Sequence, residues 1–299
     1  MKIGYPCINR TLSCRGNKTF RLKSYSQKRF VDTVENNLDC LYRMLLFNRD
    51  HNILFFRISS DIIPFASHPV LTVDWQIHFK ETLHDIGTFI KENNMRISMH
   101  PDQFIVLNSK REDVVHRSIK ELVYHADFLN ALGLDASAKI QLHVGGVYED
   151  KQNSLNRFVT HFDLLPENVK KRLVIENDEK SYTVHDCLKI SSHISLPILV
   201  DVLHHQINHQ HPSINHVVQM AAKTWDSTDG IPMIDYSTQE KNERTGKHTT
   251  HINIADFSDF LNQVLEIDVD IMLEIKDKEK SALKAIAFAK NDSRFVKLT

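Results

Sequence analysis

The sequence predicts an α/β protein that folds as a (β/α)₈ TIM barrel. Three observations predict it: eight apolar runs have the length of a strand, stretches with helical periodicity separate them, and ionisable residues stand where the runs end. The chain has 299 residues, which suits one large barrel or two medium domains. Because no Pro/Gly/Ser-rich linker or change of composition divides it, we expect one domain over residues 1–299.

Several of the strand-length runs are continuously apolar rather than alternating. This pattern is typical of parallel strands that are buried on both faces. The predicted strands are Lys2–Pro6, Ile53–Ser60, Arg96–His100, Lys139–Val144, Arg172–Glu176, Pro197–Val202, Pro232–Ser237 and Asp270–Lys276.

A predicted helix follows each strand. In the first, an apolar stripe is formed by Phe30, Val34, Leu38, Leu41 and Leu45, and in the second by Ile77, Leu83, Ile86 and Ile90. The predicted helices are Gln27–Asn48, Asp74–Asn93, Asp113–Leu132, Leu155–Phe162, Val184–Ser192, Ile214–Thr224, Ile254–Leu265 and Lys278–Phe288.

The composition is that of an ordinary soluble globular protein, with 41% hydrophobic and 25% charged residues. A net charge of −1 excludes a strong global attraction to nucleic acid or membrane. The four cysteines show no CxxC pair, so we expect reduced thiols. With no apolar leader and no long apolar run, we expect a cytoplasmic protein without membrane contact, associated with the nucleoid if the source is a prokaryote.

Ionisable side chains stand at the end of six predicted strands. In a TIM barrel the C-terminal ends of the strands form the active site, so these side chains are expected to converge. Imidazole and carboxylate groups together are what a cluster of divalent metal ions needs. The candidate ligands are His100, His143, Glu176, Asp201, Asp235 and Glu274, with His204 and His248 just beyond strand ends.

Each candidate also has an ordinary structural interpretation. A lone histidine beside an apolar strand is usually a core residue, and a lone carboxylate often caps a helix or pairs with a cation. Only the joint pattern favours a site with two or three metal ions. His251 is the main alternative to His248, and the remaining histidines, including His209 and His211, are expected at the surface or in packing roles.

Six motifs give the chain a resemblance to the UV damage endonuclease family, which is similar in fold and metal layout to endonuclease IV. The resemblance runs nearly end to end. The motifs are GYPCIN at Gly4–Asn9, FRISSDIIPFASHP at Phe56–Pro69, SMHPDQFIVLNS at Ser98–Ser109, LHVGGVYEDK at Leu142–Lys151, LPENVKKRLVIENDEKSYT at Leu165–Thr183 and LVDVLHH at Leu199–His205.

The resemblance implies incision of double-stranded DNA immediately 5′ to pyrimidine dimers, 6-4 photoproducts and some other lesions. It implies two or three divalent ions, with Mn²⁺ as the first choice and Zn²⁺ or Mg²⁺ as alternatives. Glu176, Glu274 and His248 are assigned to catalysis, with Glu176 or Glu274 bridging ions and a bridging hydroxide as nucleophile. By motif position the family ligands are His100, His143, Glu176, Asp201, His204, His248 and Glu274, and the residues that probe the duplex are Tyr5, Asn9, Gln103 and Phe104.

The chain departs from the family pattern at three positions. The family often has Lys-x-His on the seventh strand, with the lysine carboxylated, whereas this chain has Met233 and Asp235. Asp235 therefore stands where the family has a histidine ligand, and its own negative charge could partly replace the carbamate. Phe104 stands where tyrosine is common, so it keeps the stacking face and lacks the hydroxyl.

Two basic segments are candidates for contact with DNA phosphates. Residues 1–31 contain eight Lys and Arg, Arg10 among them, and no acidic residue. The second segment, before His248, contains Lys241, Arg244 and Lys247. Either could instead be a solvated surface, and Tyr5 could be a core aromatic rather than a DNA contact. We expect a monomer, because long DNA needs open access.

Two other functions fit the same residues. A sugar isomerase or epimerase of the xylose-isomerase type also uses His, Glu and Asp ligands in a TIM barrel, but it needs a closed pocket and has no use for basic loops. A metal-dependent protein that binds damaged DNA without cleaving it is the alternative that is not an enzyme.

Overall fold

The computed structural model describes residues 1–208 and 212–298 and confirms the barrel. Eight parallel strands form one closed sheet in chain order, and pairing of Ile3 with Ile271 joins the first strand to the last. The strands are β1 Ile3–Pro6, β2 Phe55–Ile58, β3 Arg96–Met99, β4 Lys139–His143, β5 Leu173–Glu176, β6 Ile198–Asp201, β7 Met233–Tyr236 and β8 Asp270–Leu273. Each predicted strand contains one of them.

The helices surround the barrel and bury their apolar stripes against it. On the first helix all five residues of the predicted stripe are buried. The helices are α1 Gln27–Asp50, α2 Trp75–His78, α3 Lys80–Glu92, α4 Glu112–Ala131, α5 Lys151–Phe162, α6 Glu167–Lys170, α7 Val184–Ile194, α8 Val202–Ile207, α9 Ile214–Ala222, α10 Ile254–Gln263 and α11 Glu279–Ala289. No helix in the described part of the chain is both long enough and apolar enough to span a membrane.

The second predicted helix is wrong in its continuity. Phe79 separates α2 from α3. Ile77, expected on the buried stripe, is 73% exposed, while Leu83, Ile86 and Ile90 are buried on α3. Its place on the stripe was wrong because a helix turns by about 240° between Ile77 and Leu83, so the two side chains face different ways. Two short helices, α6 and α8, were not predicted, because four to six residues hold too little periodicity to be recognised.

The expectation of four reduced thiols is also wrong. Cys14, in the loop after β1, forms a disulfide with Cys40 on α1, whereas Cys7 and Cys187 are free. Asn37 of α1 anchors the same loop, since its side-chain amide exchanges two hydrogen bonds of 3.0 Å with the backbone of Lys18. The basic loop is thus fastened to α1 at two points.

The barrel interior has three layers. At the N-terminal ends of the strands, which we call the floor, the charged side chains of Arg96, Lys139 and Asp270 are buried. Above them lies an apolar layer that consists of Phe55, Val174, Leu199, Met233 and Met272. At the C-terminal ends, which we call the mouth, the ionisable candidates meet.

Candidate metal centre

The structure brings all eight predicted ligands to the mouth of the barrel. His143 pairs in register with Glu176, and Asp201 with Asp235, so neighbouring strands present their polar groups at the same height. His100 and Glu274 directly follow β3 and β8. The two remaining candidates, His204 and His248, lie on α8 and in the loop after β7. A set of polar side chains that is scattered along the sequence becomes one cluster.

Three of these side chains form a first group around Glu176. The Nε2 atoms of His100 and His143 lie 3.1 and 2.7 Å from the same oxygen, Oε1 of Glu176. One donor atom from each residue lies within 4.8 Å of the others, close enough to share one metal ion. Two imidazoles and one carboxylate suit Mn²⁺ or Zn²⁺.

A second group consists only of carboxylates. Asp201, Asp235 and Glu274 each offer an oxygen, and these three atoms also lie within 4.8 Å of one another. Asp201 and Asp235 are almost fully buried, and Glu274 is partly exposed. Like charges at this distance repel strongly in a desolvated site, so the group needs cations beside it.

Four imidazole rings form a row across the mouth. Centroid distances along the row are 5.3 Å from His100 to His143, 6.1 Å from His143 to His204 and 6.0 Å from His204 to His248. The Nδ1 atoms of His100, His204 and His248 contact backbone carbonyl oxygens at 2.7, 3.2 and 2.9 Å. A donor bond from Nδ1 leaves Nε2 unprotonated in the neutral ring, which is the state that binds a metal ion.

The structure also distinguishes between neighbouring histidines. His251, the alternative to His248, is mostly exposed, and its Nδ1 lies 2.8 Å from the carboxylate of Asp277 instead of facing the mouth. His205 contacts the carbonyl oxygen of Pro212 and points away from the cluster. The other two histidines noted earlier, His209 and His211, lie outside the described residues.

Two buried residues of the centre were missed in the sequence. Arg57 of β2 donates from Nη2 to both oxygens of Asp235 at 2.7 Å, and from Nη1 to Glu274. Gln141 of β4 donates to Asp235 at 2.7 Å and also contacts Glu176. A signal for Gln141 was present, because it stands two residues before His143 and so shares its face of the strand. An arginine in a short apolar run carried no comparable indication of its partner.

The mouth contains more buried negative than positive charge. Burial raises the pKa of Asp201 to about 6, against the opposing effect of His204. Burial and the charges of Glu274, Glu176 and Asp201 raise the pKa of Asp235 well above its ordinary value, although Arg57 lowers it. Such raised carboxyl pKa values indicate that the cationic side chains of the site do not balance its buried carboxylates.

The other ionisable groups pair within the cluster. Burial lowers the pKa of His143, but the charge of Glu176 outweighs it and raises that pKa to about 9. Burial raises the pKa of Glu176, yet His143 and His100 hold it well below its ordinary value. Burial likewise opposes the ionisation of Glu274, but Arg57 and His248 lower its pKa to about 2. The imidazole of His143 thus carries a proton where a metal ion would otherwise supply the positive charge.

These residues fit divalent metal ions. Four buried or half-buried carboxylates face one guanidinium, which leaves three negative charges when the imidazoles are neutral. Oxygen and nitrogen donors converge without a thiolate, since both free cysteines lie outside the two ligand groups. The donor set therefore matches a cluster of divalent ions, and it does not select one metal among Mn²⁺, Zn²⁺ and Mg²⁺.

A cleft of about 680 Å³ opens beside the centre and leads to solvent. Arg57, His100 and Glu274 form part of its wall, and Gln103 and Phe104 form its rim. Both rim residues are exposed, and Phe104 presents 71% of its surface to solvent. The cleft is also lined by Lys276 and Lys278, two cations that sequence reasoning did not single out.

The structure places Tyr5, which we expected to probe a duplex, in the core. Its ring is fully buried, and its hydroxyl donates to Asn48 at 2.8 Å and accepts from Asn9 at 2.9 Å. Asn9 is buried as well, and its side-chain oxygen accepts from the backbone of Thr11 and Leu12. The hydrogen bonds of Tyr5 and Asn9 thus hold the start of the loop that follows β1. The structure favours the interpretation of Tyr5 as a core aromatic residue.

The two basic segments differ. In the loop after β1, Arg15, Lys18, Arg21 and Lys23 are exposed, and Arg10 is exposed beside the cleft, where it donates to the carbonyl oxygen of Lys276. The loop after β7 is less basic than expected. Lys247 forms an ion pair with Glu243, and Glu240 lies beside Lys241 and Arg244 in the same loop. The first loop is the stronger candidate for phosphate contact.

Comparison with known proteins identifies the family. The family model described as UV-endonuclease UvdE matches residues 1–296. The chain belongs to this family. The UV DNA damage endonuclease of Clostridium perfringens is 42% identical over 288 residues, which cover 96% of this chain and 70% of that protein. The crystal structure of SacUVDE superimposes with a TM-score of 0.93 at 49% identity, over 97% of this chain and 98% of that one.

Membership of the UvdE family makes the protein a DNA repair endonuclease with DNA as its substrate. This favours the nuclease over the sugar-isomerase interpretation. Endonuclease IV from Thermus thermophilus is similar at a TM-score of 0.57 and 12% identity, over 84% of this chain and 94% of that one. At that identity the likeness shows the fold alone.

Proposed function

We propose that this UvdE family member is a metal-dependent endonuclease that incises DNA immediately 5′ to UV photoproducts, including pyrimidine dimers and 6-4 photoproducts, and to some other lesions. The observation that supports metal dependence most strongly is the charge imbalance of the mouth. Four carboxylates converge there with one guanidinium, which pairs with two of them. Beside them lie four imidazoles, of which three are oriented by backbone carbonyl groups. An arrangement of this kind is costly unless cations bind to it.

The ions would be two or three in number, with Mn²⁺ the first choice. His100, His143 and Glu176 would hold one ion, because their donors already converge. Asp201 and Glu274 would hold a further ion with His204 or His248, whose rings adjoin the carboxylate group. Mixed nitrogen and oxygen ligation is typical of Mn²⁺ and Zn²⁺, while Mg²⁺ prefers oxygen alone.

Hydrolysis of a phosphodiester needs a nucleophile at neutral pH and positive charge on the phosphate. Bound divalent ions supply both, by lowering the pKa of a water and by neutralising the phosphate oxygens. Glu176, Glu274 and His248 are the protein groups that we assign to catalysis. Glu176 is positioned by contacts with His100, His143 and Gln141. Glu274 is positioned by Arg57, and His248 contacts its backbone carbonyl oxygen.

The cleft and the basic loop would bind the substrate. Lys276 and Lys278 lie beside the centre, where the phosphate backbone would pass. The loop after β1 adds exposed lysine and arginine side chains, and residues 1–31 contain no aspartate or glutamate. Because these contacts are electrostatic, DNA binding is expected to weaken steeply with salt.

Gln103 and Phe104 are the residues that we assign to recognition of the lesion. A dimer stacks poorly, so kinking the duplex or displacing the dimer costs less free energy than it does for intact bases. The exposed ring of Phe104 can stack on a base, and the amide of Gln103 can form a hydrogen bond in the gap. We further propose a monomer that acts on cytoplasmic, nucleoid-associated DNA.

One experiment tests the function directly. An end-labelled duplex with a single, defined pyrimidine dimer is incubated with the chain and Mn²⁺, and the products are separated beside a sequence ladder. We expect one nick at the phosphate 5′ to the dimer. A nick in another position would contradict the assigned incision site, and no nick with Mn²⁺, Mg²⁺ or Zn²⁺ would contradict the nuclease assignment.

Two controls separate the alternatives. The undamaged duplex should remain intact, and the damaged duplex should remain intact in EDTA. Binding of the damaged duplex without cleavage, seen as a mobility shift with Mn²⁺ present, would support the non-catalytic binding protein instead.

A further inference from the structure

Arg57 is the only arginine or lysine among the described residues that pairs with the carboxylates of the two ligand groups. Its guanidinium is 3% exposed, and it lies between Asp235 and Glu274. Nη2 donates to both oxygens of Asp235 at 2.7 Å, and Nη1 donates to Glu274. The guanidinium thus occupies the side of the all-carboxylate group that a metal ion would otherwise share.

We propose that Arg57 is a built-in cation that takes the place of one divalent ion, and that Asp235 serves as its counter-ion rather than as a metal ligand. The proposal rests on the proposed function, because it concerns how many ions the same centre binds. It assigns the metal ions to His100, His143 and Glu176 at one end, and to Asp201 and Glu274 with the nearby imidazoles at the other.

The lone pairs of Asp235 support this division. A carboxylate has about four acceptor sites. Arg57 uses one on each oxygen, and Gln141 uses another on Oδ2 at 2.7 Å. These three bonds leave one acceptor site, on Oδ1, so a metal ion could use more of Asp235 than that single site only by displacing a buried hydrogen bond. Glu274 is different, since Oε2 is not the atom that Arg57 contacts and it faces His248 at 3.8 Å.

Coulomb repulsion gives the second reason. A guanidinium stays protonated under all ordinary conditions, so its charge cannot be removed to admit a metal ion. A divalent ion placed a few ångströms from it in a desolvated site would be repelled strongly. Arg57 therefore provides positive charge to the carboxylate group whatever the supply of metal, and it excludes one ion while doing so.

The sequence at β7 is consistent with this role. The family resemblance implied a histidine ligand where this chain has Asp235, and a lysine where it has Met233. Met233 belongs to the apolar layer below the mouth and brings no charge to the centre. The negative charge of β7 thus lies on Asp235 instead of on a carboxylated lysine, and Arg57 is the cation that pairs with it.

The test is the number of Mn²⁺ ions that the chain binds, measured by equilibrium dialysis and elemental analysis. Arg57→Met should bind one more Mn²⁺ per chain than the wild type, because the guanidinium no longer excludes it. Asp235→Asn should bind as many as the wild type, since the amide oxygen still accepts from Arg57. If Asp235 were a ligand instead, Asp235→Asn would lose one ion and Arg57→Met would gain none.

Thermal unfolding provides a second measurement if Arg57→Met folds poorly. Without metal, this variant should have a lower Tm than the wild type, because two carboxylates lose their cation. Saturating Mn²⁺ should raise its Tm more than it raises that of the wild type. The matched control is Arg96→Met, which breaks a comparably buried pair with Asp270 at the floor and should show no such gain.

The outcomes distinguish this proposal from the function on which it rests. If the wild type binds none of Mn²⁺, Zn²⁺ and Mg²⁺, the proposed function and this inference are both overturned. If the wild type binds Mn²⁺ but Arg57→Met binds no more and Asp235→Asn binds less, only this inference is overturned.

Discussion

The two ends of the barrel bury charge in opposite ways. At the floor, Arg96 pairs with Asp270 and Lys139 pairs with Asp229, so each cation has its own carboxylate. Backbone carbonyl oxygens of Ile231, Asp229 and Lys171 accept further hydrogen bonds from the two cations. At the mouth, four carboxylates converge on one arginine, and Arg57 pairs with only two of them, Asp235 and Glu274.

This difference indicates that the charges of the floor serve stability, whereas those of the mouth serve function. The charges of the floor are balanced inside the protein, so their pairs hold the strands in place and need nothing further. At the mouth the carboxylates outnumber the guanidinium that pairs with them, which leaves carboxylate oxygens available to bind a cation. This agrees with the general pattern of TIM barrels, in which the C-terminal ends of the strands carry the active site.

The largest expected difference between the two ends is in catalysis. Glu176→Gln should reduce lesion-dependent incision by at least about 10³-fold, since loss of an outer-shell partner of a metal ligand already costs about 10–100-fold. The same variant should lose stability in EDTA at neutral pH, because His143 and His100 hold the pKa of Glu176 below its ordinary value and its charge therefore stabilises the metal-free fold. Asp270→Asn at the floor is the control, and its folded fraction should incise as the wild type does. Equal losses in both variants would abolish the distinction.

The next largest effect is the loss of stability expected when an ion pair at the floor of the barrel is broken. Arg96→Met should lower the free energy of unfolding by about 3–5 kcal/mol, because Asp270 is left buried without its partner. Denaturation in urea measures this loss. Adding Mn²⁺ should not restore it, since the metal centre is at the other end of the barrel. Recovery of the lost stability with Mn²⁺ would show that the two ends are coupled.

A smaller effect should appear in the pH dependence of metal binding at the mouth. Burial opposes protonation of His143, but Glu176 raises its pKa to about 9, so the metal-free imidazole is protonated at pH 7. Mn²⁺ must displace that proton, and its affinity should therefore rise about tenfold per pH unit from pH 7 and level off near pH 9. Titration calorimetry in two buffers of different ionisation enthalpy measures the proton released. Binding without proton release at pH 7 would contradict the pairing of His143 with Glu176.

The smallest expected effect concerns the rim of the mouth. Phe104→Ala should weaken binding to a damaged duplex by about 1–3 kcal/mol, the value of one base stacked on an aromatic ring. Its Tm should not change, because the ring is 71% exposed. Ile77→Ala removes an apolar side chain of similar exposure from the outer helix α2 and should leave DNA affinity unchanged. Fluorescence anisotropy measures both affinities, and an equal loss in the two variants would exclude a specific role for Phe104.

The sequence allowed good prediction of the mouth because strand ends can be recognised locally. Continuous apolar runs located the eight strands, and the last polar residue of a run, such as Glu176 or Asp201, has to face the end of the barrel. His204 could be placed with them because it follows Asp201 by three residues, although the short helix that holds it, α8, was not foreseen.

Long-range pairing could not be predicted in the same way. Arg57 and Asp235 are separated by 178 positions, and nothing near either residue indicates its partner. The disulfide between Cys14 and Cys40 depends on Cα atoms that are 5.7 Å apart in space, a distance that sequence spacing does not reveal. Tyr5 was ambiguous for a similar reason, since Asn48, the acceptor for its hydroxyl, belongs to a different element.

The most direct test of the contrast between mouth and floor is anomalous diffraction from a crystal soaked in Mn²⁺. We expect anomalous density among His100, His143 and Glu176, a second peak beside Asp201 and Glu274, and none at the floor around Arg96 and Asp270. Absence of density at the mouth, with the imidazoles still hydrogen-bonded to Glu176, would contradict the metal centre and the incision chemistry that depends on it.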